Sequence, residues 1–299
     1  MYFLPKYKRG VFNRYRRQMP WPEMLAKDLG VIAFYLKNIL TGKRPNTLVC
    51  YPHFPSRGST IYRITRAMGW QVSNKLSRVG KVAVFWEYGT HRKEWAKLEN
   101  LKNVSVINLQ SRDIGKDFVD AKMQEAMGYC SKIDPKTFIG IAVKKSITNA
   151  VHDGKEITCP IAKIDEGFIY QKLVDTSNIK GEVMDMRVVI MKNEIPHLYA
   201  NFRKLELKFS NRPFRAELVM DINSMLSQKE QDDLIRFSKA SGLDFGELDV
   251  LRDNEDGKIY VVDANNTPQG PPVHLPVEEK KIALKSYIDC FTRQFLNQD

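Results

Sequence analysis

No stretch of this chain approaches the roughly 20 apolar residues that a membrane-spanning helix needs, so an integral membrane protein is not expected. The four cysteines, Cys50, Cys130, Cys159 and Cys290, are scattered and form no Cys-x-x-Cys pair. That spacing argues against a zinc site and against a small disulfide-stapled fold. Reduced thiols in a cytoplasmic protein are the expectation. Only a short apolar start precedes Lys6, too little for a signal peptide. Zinc-finger spacing, an RNA-binding aromatic signature and Arg-rich repeats are all missing, so nucleic acid is not an expected partner. No Ser-His or Cys-His arrangement marks a covalent nucleophile. Acid is scarce in the first third. Residues 1–100 carry 19 Lys+Arg against 5 Asp+Glu, and the rest carries 28 against 30, so the net +12 is an N-terminal property. An anionic substrate or an anionic membrane surface would answer it.

What is present is an ordinary globular composition, 43% hydrophobic and 27% charged over 299 residues. That length allows one large domain or two or three subdomains sharing an interface. Residues 1–20 mix Tyr2, Phe3, Tyr7, Phe12 and Tyr15 with six basic residues, an arm suited either to packing on the domain or to peripheral membrane contact. Apolar residues at helical spacing predict a helix over 23–41, with Leu29, Ala33 and Leu36 on its stripe, stopped at Gly42. Strands are expected at 47–51, 70–73, 81–85 and 104–108, with a helix over about 59–68. The alternation predicts a small α/β domain with a parallel sheet. The loop Pro52–Ser59 leads to a helix start, an anion-binding arrangement, but it lacks the Gly-Lys-[Ser/Thr] ending of a Walker loop. A further helix spans 113–128, with a cap near Asp113 and a stop at Gly128.

The second half carries the chemistry. A strand over 138–145 ends in Lys144-Lys145; strand alternation lets only one of them face a ligand. Residues 167–175 form a strand running into a break. A hairpin over 181–203 turns at Lys192-Asn193-Glu194 and carries Asp185-x-Arg187. Ser227 and Glu230 make a capping box for a helix over 226–241. Then come two apolar runs, Glu247–Leu251 and Lys258–Asn265, around an Asp-Gly turn, and a last amphipathic helix over 276–298. Alternation puts Glu247 and Asp249 on one strand face, and Asp263 and Asn265 on one face of the next. Pairing the strands gathers oxygen donors that need a cation, and oxygen-only ligands suit Mg²⁺ or Mn²⁺.

The runs Glu247-Leu-Asp-Val250 and Asp263-Ala-Asn-Asn-Thr-Pro268 resemble the end of an ATP-grasp domain, over roughly residues 120–275. The resemblance implies an α/β (α+β) ATP-grasp fold with a small N-terminal α/β domain, divided as 1–118 and 119–299. It implies ATP and Mg²⁺ as cofactors, with Asp249, Asp263 and Asn265 as metal ligands; the family often has Glu where this chain has Asp263. Lys144 or Lys145 would lie over the phosphates. Gln171, Lys172, Leu173 and Val174 would hold the adenine, and Asp175 the ribose. Arg187 and Arg203 would neutralise the transferring phosphate, with Lys208 as a further phosphate binder. The N-terminal domain would contribute to substrate binding, with Arg57, His91 and Arg92 as candidates. The activity implied is that of an ADP-forming ligase, joining a small-molecule or acidic saccharide-type carboxylate to an amine. A kinase on the same fold and a non-catalytic nucleotide-binding module are the alternatives.

Overall fold

The fold builds on three sheets, seen in a computed structural model that describes residues 29, 33, 36, 46–149, 151, 153–210 and 213–297. The basic arm and Gly42 lie outside the described residues. Of the helix expected over 23–41, only Leu29, Ala33 and Leu36 are described. They are helical, as expected, but exposed, so these stripe positions do not enter a core.

The first sheet is parallel. Its strands β1 (Thr47–Pro52), β2 (Gln71–Ser73), β3 (Val82–Trp86) and β4 (Ser105–Ile107) stand in the order β2-β1-β3-β4. Helix α1 (Thr60–Ala67) crosses from β1 to β2, and Ser59 caps it by accepting from the Tyr62 N–H. A short helix α2 (Ala96–Glu99) precedes β4. One face of this sheet packs Val49, Ala83 and Phe85 against Leu98. The other packs Leu48, Cys50, Val84 and Trp86 into a core shared with the second half.

Helix α3 (Lys116–Met127) starts three residues later than the Asp113 cap suggested. Asp113 instead closes the preceding turn, its carboxylate accepting from the Gly115 N–H at 2.7 Å. After α3 come β5 (Gly140–Ser146), β6 (Lys155–Cys159) and β7 (Phe168–Lys172), an antiparallel sheet in the order β6-β5-β7. The third sheet holds β8 (Glu182–Met191), β9 (Leu198–Lys204), β10 (Arg215–Val219), β11 (Phe245–Arg252) and β12 (Ile259–Asn265), ordered β10-β9-β8-β11-β12. Helix α4 (Gln228–Ala240) carries the expected capping box of Ser227 and Glu230. Helix α5 (Val277–Phe291) follows β12. Strands β6 and β10 were not foreseen.

The run Val188-Val-Ile-Met191 on β8 is wholly buried because both faces of its sheet are covered. Val188 and Ile190 meet Val119 and Met123 of α3 and Leu234 and Phe237 of α4. Val189 and Met191 meet Ile61, Ile64, Trp86, Tyr287 and Phe291. The central strand that carries Arg187 is thus clamped between two cores. Asn108 pins the first sheet to β11. Its side-chain oxygen accepts from the Asp244 and Phe245 N–H groups, both at 2.8 Å, and its amide donates to the Phe245 carbonyl at 2.6 Å.

His197 is completely buried between Ser286 of α5 (2.9 Å) and Tyr199 (3.0 Å). Burial pushes its pKa down to about 3. The unfolded chain therefore takes up a proton that the folded chain refuses. Stability is fully present above about pH 6.5 and falls, by about 1.4 kcal/mol per pH unit from this group, as pH drops toward 3. Urea titrations between pH 7 and 4 should show this slope, and His197→Gln should flatten it by one proton.

Candidate functional site

A cavity of about 1200 Å³ lies among β5, β7, β8, β9, β11 and β12. The β11–β12 hairpin forms part of one wall. Asp249 on β11 faces Asp263 on β12 across the ladder, and Glu247 faces Asn265. The register shifts just after Asp249, and this bulge re-aims the strand where the acids stand. On its other side Asp249 pairs in register with Arg187 of β8. The guanidinium holds that carboxylate in a two-pronged pair, Nε–Oδ1 at 2.9 Å and Nη2–Oδ2 at 3.2 Å.

Asp263 lines the cavity, with the Ala264 N–H donating to it at 3.1 Å. Burial, then the Asp249 charge, pushes its pKa up to about 6. Asp249 has Arg187 for a partner, whereas the Asp263 carboxylate accepts only from the Ala264 N–H among the described residues, and carboxylate oxygens are the hard donors that Mg²⁺ or Mn²⁺ prefers. The donor set therefore fits a divalent cation. Asn265 stands apart from the cavity lining and accepts from the Thr267 N–H at 3.0 Å. Among the described residues no three His, Cys, Asp or Glu side chains gather as a metal cluster, so a third protein donor would be this amide.

Cations reach the cavity from both sheets. Lys145 reaches the cavity and donates to the Val262 carbonyl at 3.3 Å. Burial lowers its pKa to about 8, against the pull of Asp263. Lys144, one step along the pleat, points elsewhere; it pairs with Asp165 and lies over the Phe168 ring. Arg203 lines the cavity and pairs with Asp185. Lys208 also lines it, paired with Glu156 of β6.

Leu173, Val174 and Asp175 form the break after β7. No hydrogen bond among the described residues uses the backbone of Leu173 or Val174, which leaves their N–H and C=O groups available to a ligand. Gln171 and Lys172 line the cavity, but their side chains do structural work. Gln171 donates to buried Asp120 of α3, which also accepts from Ser131. Lys172 binds Asp253 at 2.6 Å and Asp256 at 3.2 Å.

The Asp253–Gly257 turn is therefore more than a connection. Asp253 also accepts from the Asp175 N–H at 3.2 Å, and Asn254 donates to the Ser177 carbonyl at 2.8 Å. The turn between β11 and β12 holds the break after β7 in place. Replacing Asp253 by Ala strands Lys172 with Asp256 alone. It should cost about 2–4 kcal/mol in urea unfolding and speed amide exchange at Val174 and Asp175.

One residue of the site went unnoticed in the sequence. Lys116, in the first turn of α3, lines the cavity and donates to the Thr148 carbonyl at 3.0 Å. The signal was available: a lysine opposes the positive end of a helix dipole unless something anionic is near. Glu247, placed second to Asp249 in the sequence reading, is 1% exposed and lies behind Arg187. Among the expected N-terminal substrate binders, Arg92 does not fit that role. It is buried and donates to the carbonyls of Phe85, Asn108 and Ser111. His91 is paired with Asp113 at 3.3 Å.

Two solved structures share this arrangement of elements. The ATP-grasp ligase PsnB, complexed with its minimal precursor, Mg and ADP, aligns with a TM-score of 0.52, covering 83% of this chain and 98% of PsnB at 13% identity. The D-alanine–D-alanine ligase of Bacillus anthracis, complexed with ATP, also gives 0.52, covering 83% of this chain and 95% of its own at 12% identity. This chain has the ATP-grasp fold. No family model and no curated protein matches the sequence. Within the ATP-grasp fold, β5–β7 and the β8–β12 sheet are the two elements that enclose the cavity.

Proposed function

We propose that the protein is an ATP-dependent, ADP-forming ligase that activates a carboxylate as an acyl phosphate for attack by an amine. One observation carries the reading. Lys116, Lys145, Arg187 and Arg203 line the same cavity as the cross-strand pair Asp249 and Asp263. Lys145 of β5 and Lys116 of α3 reach the cavity from one side, while Arg187 and Arg203 stand beside the carboxylates on the β8–β12 sheet, and such a gathering of cations around acids is what a metal-bound triphosphate requires. The ATP-grasp ligases of similar fold, solved with Mg and ADP or with ATP, support the choice.

In this reading Asp249, Asp263 and Asn265 hold Mg²⁺ or Mn²⁺, which when bound neutralises the β- and γ-phosphate charge. The Leu173 and Val174 backbone groups hold the adenine, and Asp175 the ribose. Lys145, Lys116 and Lys208 bind phosphate oxygens. Arg187 and Arg203 face the charge that develops as the γ-phosphoryl passes to a substrate carboxylate. The bond to the β-phosphate oxygen breaks as the acyl–phosphate bond forms; the amine then displaces inorganic phosphate. The chain divides at about 118, with the N-terminal α/β part presenting the acceptor. Its basic character suits a small-molecule or acidic saccharide-type acid, in the cytoplasm.

The test is ADP release across a panel of small carboxylates, uronates and acidic peptides, with and without amines. Hydroxylamine in place of the amine should trap a hydroxamate. ADP release that needs a hydroxyl compound instead, and yields a stable phosphate ester, would assign a kinase. Absence of turnover with every acceptor would leave a binding module.

A further inference from the structure

Arg187 and Asp249 pose a conflict. On the ligase reading, on which this inference rests, the arginine serves the phosphate and the aspartate serves the metal. Yet each now neutralises the other through a two-pronged pair at 2.9 and 3.2 Å. Opening that pair leaves a half-buried guanidinium without a counter-charge unless another acid stands ready.

Glu247 stands ready. It lies two residues before Asp249 on the same face of β11 and is 1% exposed. Its Oε2 makes no hydrogen bond, an expensive state for a buried carboxylate oxygen, and lies 3.8 Å from the Arg187 Nε. Its Oε1 is fixed from behind, accepting from the Tyr287 hydroxyl of α5 at 3.1 Å. Tyr287 accepts from Tyr199 at 3.2 Å, and Tyr199 meets His197, which is held by Ser286. The wall beside the carboxylate is closed. A Cβ placed on Gly270 would sit 3.1 Å from both the Glu247 Oε1 and the Thr60 Oγ1. The carboxylate is therefore anchored, so the exchange asks the guanidinium to move once Asp249 lets it go. A movement of about 1 Å would turn the 3.8 Å approach into a charge-assisted hydrogen bond.

We infer that Glu247 is a positioning residue that takes over Arg187 when Asp249 turns to the metal, so that the arginine stays charged and aimed at phosphate while its former partner becomes a ligand. The buried chain from Ser286 to Tyr287 holds Glu247 in place for that exchange.

The test is calorimetric ADP binding with MgCl₂ and with EDTA, for the wild type, Glu247→Gln, Tyr287→Phe and Asp249→Asn. Glu247→Gln keeps the shape of the side chain and removes its charge. It should leave Mg-free ADP affinity unchanged and reduce the gain on adding Mg²⁺ by about 10–100-fold. Tyr287→Phe should act in the same direction by less, and serves alone if Glu247→Gln does not fold. Wild-type Mg²⁺ dependence in both variants overturns the inference. So does an equal weakening with and without Mg²⁺, which would mark a purely structural role. Asp249→Asn should lose the Mg²⁺ gain entirely; if it keeps that gain, the metal assignment falls and takes the exchange with it.

Discussion

Replacing Arg187 by Met should lower the turnover defined by ADP release about 1,000-fold or more, because the group that meets developing phosphate charge is gone. The same change should also destabilise the folded chain. Asp249, more than any other influence, holds the Arg187 guanidinium firmly charged against the opposing effect of burial. Without it, Asp249 and Glu247 lose their arginine, and Lys145 and Lys116 are left to offset the charge of Asp263. Both members of the Arg187–Asp249 pair keep 29% side-chain exposure, so solvent softens the loss below that of a fully buried pair. About 1–3 kcal/mol is expected in urea unfolding at pH 7.5. The penalty has a sign in pH. Carboxylates that repel one another titrate higher when folded than when unfolded, so the variant regains stability as pH falls toward 4. Arg187→Lys should restore much of the stability and little of the turnover, since an ammonium cannot reproduce the two-pronged geometry. A variant as active as the wild type would remove Arg187 from the chemistry.

How much of this was legible in the sequence depends on the range of the interaction involved. Local signals survived well. The capping box of Ser227 and Glu230 forms as expected, and the turn at Lys192 adopts a positive φ of 52°. Alternation along β11 and β12 put Glu247 with Asp249 and Asp263 with Asn265; the ladder then sets Asp249 opposite Asp263 and Glu247 opposite Asn265, a register that a two-residue period alone does not choose. The same pleat meant that one of Lys144 and Lys145 would face inward, but which one depends on where β5 sits in its sheet, a property of β6 and β7 rather than of β5. Strands β6 and β10 were missed because Lys155–Cys159 and Arg215–Val219 are short edge strands with mixed charge; their partners β5 and β9 make them strands. Arg92 was expected among the substrate binders. Three backbone carbonyls that converge only in the folded chain make it a buried cation instead. Gln171 and Lys172 were read for what a ligand would take from them, whereas Asp120 and Asp253, 51 and 81 residues away, already occupy them. The exposed Leu29 and Leu36 show the opposite error: helical spacing identifies a stripe, not what covers it.

Asp263 brings fold and function into opposition, which makes it the most informative single substitution. Its carboxyl lies where burial and the neighbouring Asp249 raise the pKa to about 6, above the ordinary 3.8 of an aspartate. A carboxyl with a raised folded pKa costs nothing while protonated in both states. It begins to cost as pH rises through 3.8, where the unfolded form ionises first, and the full cost is present above about 6. Asp263→Asn in the nucleotide-free protein should therefore melt at or above the wild-type temperature at pH 7.5, with the advantage gone at pH 4. Function should move the other way. The amide is a poorer ligand for a hard cation, so Mg²⁺-dependent nucleotide affinity should fall by about 10–100-fold and turnover with it. Scanning calorimetry with and without MgADP separates the two effects, since bound ligand stabilises only the state that binds it. The wild type should gain melting temperature with MgADP over ADP in EDTA, and the variant should not. A variant that melts lower without ligand, yet keeps the full MgADP increment, would make Asp263 a structural carboxylate and move the metal elsewhere in the cavity. The pattern expected here instead places an unfavourable charge on β12 for the sake of the cation it receives, with the two cores that clamp β8 supplying the stability that lets the chain tolerate it.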